Sequence, residues 1–68
     1  GDGWDSKHFF NNGDNIAYEA FGNPVLLENG DGTTFTVVPG NKYGGPMIGP
    51  GKISFRAKFG PARVKVYF

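Results

Sequence analysis

The sequence predicts an all-β fold, a small single-domain antiparallel barrel or sandwich of about five strands. No window shows the spacing of an amphipathic helix, and glycine or proline interrupts every window of helix length. Aromatic and β-branched residues are concentrated in short segments that alternate apolar and polar side chains. Turn-forming Asn-Gly, Asp-Gly and Gly-Pro pairs separate these segments.

The chain is short, with 68 residues, of which 38% are hydrophobic and 16% aromatic. This length allows one domain over residues 1–68, and the aromatic content argues against disorder. Small domains usually supplement a limited core with disulfides, a metal ion or oligomerisation. Because the chain has no cysteine and no evident cluster of metal ligands, we expect an oligomer or a larger assembly.

The first predicted elements are an arm and a strand. Residues 1–10 show no clear apolar periodicity and are predicted as an extended N-terminal arm. Residues 11–15, Asn-Asn-Gly-Asp-Asn, are a cluster of turn formers. They are followed by a predicted strand over 15–21 that ends at the Gly-Asn-Pro sequence of 22–24.

A tight hairpin is predicted in the middle of the chain, between strands over 25–28 and 33–38. The Asn-Gly-Asp-Gly sequence that joins them adopts positive φ at little cost. A two-residue or four-residue turn sets Leu26 opposite Phe35. We therefore expect Leu26, Phe35 and Val37 to share one face of the pair.

A C-terminal β-hairpin is the clearest predicted element. Residues 52–59 alternate polar and apolar side chains without interruption, and residues 62–68 do so again. The intervening Gly60-Pro61 pair suits a type II′ turn. In this register all the apolar side chains lie on one face, and Arg56 lies opposite Lys65 on the other.

The basic face of this hairpin is a predicted contact for an anion or an acidic partner. Like charges that face one another across two strands destabilise the pair unless something anionic covers them. Side chains that lean apart into solvent are the alternative, because exposed charges contribute little energy. The candidate residues are Lys52, Arg56, Lys58, Arg63, Lys65 and Tyr67.

A Gly/Pro-rich loop is predicted over 39–51, and it carries three large apolar side chains. These side chains either cap one end of the barrel or sandwich, or they contact a partner. We favour a partner because a domain with little core is expected to use its apolar loop at a subunit boundary. Together with the N-terminal tryptophan, the predicted partner or oligomer contacts are Trp4, Tyr43, Met47 and Ile48.

Charge is distributed unevenly between the two halves of the chain. Residues 1–31 hold all six acids and one base, whereas residues 32–68 hold six bases and no acid. Either the two halves face each other, within one subunit or between subunits, or the basic half faces an external polyanion. We favour the first interpretation because dedicated nucleic-acid modules usually have isoelectric points above about 9. The value for this chain is 8.3.

No catalytic, metal or cofactor site is predicted. Asp5, Ser6 and His8 are neighbours in an arm, whereas a catalytic triad needs rigid positioning from separate elements. The Asn, Asp and Gly residues of the turns do not match the ligand spacing of an EF-hand loop. No apolar stretch is long enough for a membrane-spanning helix, and no signal-peptide pattern is visible.

We therefore expect a non-catalytic structural or interaction module, a subunit of a homo-oligomer or of a larger assembly. A small virion or surface-scaffold protein fits this description. The alternative is a polyanion-binding domain that holds nucleic acid, or an acidic or neutral carbohydrate, on the basic hairpin face. We expect a soluble protein with no cofactor and no membrane partner, and a particle or surface location is compatible with the composition.

Overall fold

The computed structural model describes residues 6–67, and these form seven β-strands and no helix. Four strands form one antiparallel sheet and three form another. The predicted all-β class is confirmed, with seven strands where about five were predicted. The strands are β1 (Ser6–Phe10), β2 (Asn15–Gly22), β3 (Val25–Asn29), β4 (Thr34–Val37), β5 (Lys42–Pro46), β6 (Gly51–Arg56) and β7 (Ala62–Tyr67).

No helix that could cross a membrane is found within residues 6–67.

The strand order is β1-β6-β3-β4 in the larger sheet and β5-β2-β7 in the smaller one. Because every pair is antiparallel, the connections between consecutive strands lie alternately at two ends of the molecule. We call one end the head, and it consists of the connections 11–14, 30–33 and 47–50. We call the other end the tail, and it consists of the connections 23–24, 38–41 and 57–61.

The hydrophobic core lies between the two sheets. The ring of Tyr18 in the smaller sheet lies 5.6 Å from that of Phe55 and 6.1 Å from that of Phe35, both in the larger sheet. Aromatic pairs at such distances add to the stabilisation that comes from burial alone. The buried apolar residues are Ile16, Tyr18, Ala20, Val25, Leu27, Val37, Ile53 and Phe55.

The central hairpin forms where it is predicted, but its register is shifted by one residue. Leu27, rather than Leu26, lies opposite Phe35 and is fully buried. The cause is a three-residue loop over 30–32, in which Gly32 has a φ of 90°. Three-residue hairpin loops commonly place such a residue last, and a shift of one residue turns every side chain to the opposite face.

Local hydrogen bonds hold this loop in place. The N–H of Asn29 donates to the carbonyl oxygen of Thr33 at 2.8 Å. The Asp31 carboxylate accepts from the hydroxyl of Thr33 at 2.7 Å and from its N–H at 3.0 Å. These hydrogen bonds to the charged form hold the pKa of Asp31 below its usual value.

Both C-terminal strands form, with Gly60-Pro61 in the connection between them, but the predicted pairing between them is wrong. β6 pairs with β1 and β3, whereas β7 pairs with β2 in the other sheet. Arg56 therefore lies opposite Leu26, and Lys65 lies opposite Glu19. Placing β6 between two neighbours satisfies its backbone groups on both sides and buries its apolar face, which an isolated hairpin cannot do.

Two segments predicted to lack strands contain them. Part of the predicted arm is β1, which pairs with β6, while residues 1–5 lie outside the described part of the chain. The predicted loop over 39–51 contains β5, which pairs with β2. Gly44 and Gly45 of β5 have φ values of 130° and 149° and carry no side chains, so the alternation that identifies a strand is missing.

Candidate interaction surfaces

An open apolar groove of about 910 Å³ lies at the head. Ile48 is 93% exposed and Phe9 is 74% exposed, although both belong to residue types that are usually buried. Contiguous exposed apolar surface of this kind commonly marks an interaction site. The apolar side chains that line the groove are Phe9, Phe10, Pro46, Met47, Ile48 and Pro50.

The backbone of the turn over 11–14 holds the connection that carries Ile48. The N–H of Met47 donates to the carbonyl oxygen of Asp14, and the N–H of Gly13 donates to that of Met47, each at 2.8 Å. Met47 also packs against the core. Ile48 is therefore exposed next to a residue, Met47, that is held by two backbone hydrogen bonds and by contact with the core.

The ring of Phe10 packs closely against two glycines of the head. A Cβ at Gly49 would lie 2.6 Å from the Phe10 ring, and one at Gly51 would lie 2.8 Å from it. The N–H of Gly49 donates to Oδ1 of Asn12 at 3.2 Å. These contacts explain the glycines on either side of Pro50, since any larger residue would displace the ring.

The head and the tail differ in charge. Within the described residues, the ionisable groups of the head connections are the carboxylates of Asp14 and Asp31. The tail connections hold Lys58, and Lys42 and Arg56 lie at the strand ends that adjoin them. Within residues 6–67, the head therefore has an excess of carboxylates, with Lys52 as a cation in the groove, and the tail is basic.

The outer face of the smaller sheet carries a cluster of cations around one carboxylate. Glu19 lies on the central strand, opposite Lys42 on one side and Lys65 on the other. The hydroxyl of Tyr67 donates to Oε1 of Glu19 at 3.0 Å. The Nζ atoms of Lys42 and Lys65 lie 4.0 Å and 4.9 Å from the centroid of the Tyr67 ring, within cation–π range. Partial desolvation and the neighbouring Glu19 raise the pKa of Tyr67.

Phe21 is an exposed aromatic residue on this same face that the sequence reasoning missed. It lies opposite Arg63, and a shallow hollow of about 280 Å³ is lined by Phe21, Arg63, Val64 and Lys65. Its signal in the sequence is a break in alternation, because Phe21 directly follows the buried Ala20. The pairing of β2 with β7 is what brings Phe21 beside the basic residues.

Of the predicted partner contacts that the structure describes, Tyr43 lies apart from Met47 and Ile48. Met47 and Ile48 lie together at the head, and Trp4 lies outside the described residues. Tyr43 packs into the core, where its ring stacks on Tyr18 at 6.1 Å, and its hydroxyl accepts from the N–H of Val38 at 3.3 Å. Tyr43 therefore contributes to packing between the two sheets, and a contact between Tyr43 and a partner stays a prediction.

The six predicted anion contacts are also divided, because β6 and β7 belong to different sheets. Lys52 and Arg56 lie on the outer face of the larger sheet, and Lys58 lies at the tail. Three residues share the outer face of the smaller sheet, namely Arg63, Lys65 and Tyr67. The basic surface assembled there includes Lys42 and Phe21 in place of the residues from β6.

Within residues 6–67, no three His, Asp or Glu side chains approach one another closely enough to hold a metal ion. No protein-family model, curated protein or solved structure matches the chain. The two surfaces described above, the apolar head and the basic sheet face, are therefore the basis for a functional proposal.

Proposed function

We propose that the protein is a non-catalytic interaction module that self-associates through its head into a homo-oligomer or a larger assembly. The observation that carries this proposal is the exposure of Ile48 and Phe9 beside one groove. Burial of a side chain of either type contributes about 1.5–3 kcal/mol. A domain of this size gains from such burial because its own core is limited.

Replacing Ile48 by aspartate is expected to disrupt this association, because the contact would have to bury an unpaired carboxylate. We expect the unchanged protein to sediment as an oligomer at micromolar concentration and Ile48→Asp to sediment as a monomer. Thr36→Asp is the matched control, since Thr36 is exposed on the outer face of β4. A wild-type protein that remains a folded monomer throughout this range contradicts the proposal.

A second candidate function is the binding of single-stranded nucleic acid on the outer face of the smaller sheet. This function is favoured because Phe21 lies beside Arg63 and Lys65, so that an exposed aromatic ring is next to two cations. Single-strand binders combine stacking on aromatic rings with neutralisation of phosphates. The isoelectric point of 8.3 argues against a dedicated nucleic-acid module, so this function ranks second.

Replacing Phe21 by alanine is expected to weaken the binding of a single-stranded oligonucleotide about tenfold, through lost stacking. Lys65→Ala is expected to lower the slope of log affinity against log salt by about 0.7. Both effects are measurable by fluorescence anisotropy over a range of salt concentrations. Lys52→Ala, on the opposite sheet, is the control, and a sulfated glycan that binds as well as the oligonucleotide contradicts the assignment to nucleic acid.

A further inference from the structure

We infer that copies of this chain join head to tail, with the head of one copy seated on the tail of the next. This inference rests on the proposed self-association, and it adds the partner surface and the polarity of the contact. It is carried by the charges and the exposed apolar residues at the two ends.

The charges of the two ends are complementary. The head connections carry Asp14 and Asp31, whereas the tail carries Lys58 with Lys42 and Arg56 at the adjoining strand ends. Lys52, one residue inside β6, also lines the head groove, so the head has two carboxylates and one cation. Contacts between surfaces of opposite charge are favoured over contacts between like surfaces.

Both ends expose large apolar side chains beside these charges. At the head these are Phe9 and Ile48, and at the tail Phe59 is 52% exposed and Val38 is also exposed. Phe59 lies in the connection 57–61, next to Lys58. Each end therefore exposes both apolar side chains and charged groups, the two kinds of side chain that protein interfaces combine.

The alternative arrangements set like charges against each other. A two-fold contact between heads would bring four carboxylates, two copies each of Asp14 and Asp31, into one interface with two copies of Lys52. A two-fold contact between tails would bring Lys58 near a second Lys58. A head-to-tail contact is heterologous, so repetition produces a ring where the rotation closes and a filament where it does not.

Mixing two variants tests this polarity directly. Ile48→Asp blocks the head and leaves the tail intact, whereas Phe59→Asp blocks the tail and leaves the head intact. We expect each variant alone to be monomeric, because every contact needs one head and one tail. We expect an equimolar mixture to form a heterodimer and no larger species, with circular dichroism establishing that both variants are folded.

The outcomes of this experiment separate the two proposals. If Phe59→Asp alone assembles as well as the wild-type protein, the contact is between heads, and only the head-to-tail inference fails. If the wild-type protein assembles but the mixture of the two variants remains monomeric, the head-to-tail inference fails and the proposed self-association stands. A wild type that is monomeric at all concentrations overturns both proposals.

A charge reversal that leaves the apolar residues in place provides a second measurement. Lys58→Glu is expected to weaken wild-type assembly about fivefold at low salt, and the difference is expected to shrink as the salt concentration rises. If Lys58→Glu leaves the dissociation constant unchanged at low salt, Lys58 of the tail does not lie against the carboxylates of the head, and the head-to-tail inference loses its electrostatic basis.

Discussion

Replacing Gly44 by alanine is expected to destabilise the fold by about 3 kcal/mol or more. A Cβ at this position would lie 2.6 Å from the Cα of Ala17 and within contact distance of the carbonyl oxygen of Ile16. Both are backbone atoms of β2, the central strand of its sheet, so they cannot move without disturbing two strand pairs. The φ of 130° at Gly44 adds strain for any residue with a side chain.

Gly45→Ala is the matched control, because it separates the steric clash from the backbone strain. Gly45 also has a positive φ, 149°, but no atom lies within 4 Å of a Cβ placed there. We expect it to cost about 1 kcal/mol. In urea, with a slope of about 1 kcal/mol per molar, the two midpoints should differ by about 2 M. Equal midpoints would mean that the close approach of β5 to β2 is absent.

Replacing Phe55 by alanine is expected to cost about 3–5 kcal/mol, the range for loss of a buried aromatic side chain. Phe55 is 2% exposed and lies opposite Leu27 in the larger sheet. Its ring lies 5.6 Å from that of Tyr18 and 5.8 Å from that of His8. The substitution therefore leaves a cavity between the two sheets.

Phe59→Ala is the control for this prediction, because the sequence pattern assigns Phe55 and Phe59 to the same apolar face. In the structure β6 ends at Arg56, and Phe59 lies exposed in the tail. We expect Phe59→Ala to change the free energy of unfolding by less than about 0.5 kcal/mol. Measuring both variants in the Ile48→Asp background removes any contribution from assembly. Similar losses for both phenylalanines would contradict the separation of β6 from β7.

The parts of the fold that could be predicted from sequence depend on local patterns. The alternation of Ile16, Tyr18 and Ala20 identifies β2, and turn formers bound it on both sides. The glycines at 30 and 32 likewise locate the central hairpin. The turn sequence does not determine the register of this hairpin, because two-, three- and four-residue loops all fit it.

The candidate surfaces were only partly accessible to sequence reasoning. Met47 and Ile48 stand out as large apolar residues among glycines and prolines, and the structure brings them together at the head. Phe21 gives only a break in alternation, because its position beside basic residues depends on Arg63, which is 42 positions further along the chain. The acidic head and basic tail likewise become visible only when the connections are assigned to the two ends.

The amino-acid sequence by itself determined the β class, most of the strand positions and the turns. These features depend on backbone preference and on alternation, which act over a few neighbouring residues. The tertiary structure decided which strands pair. It separated β6 from β7, added the glycine-rich β5 to β2, and turned Leu27 rather than Leu26 into the core. These choices depend on the total apolar surface buried between two sheets, which is a property of the whole chain and not of any one segment.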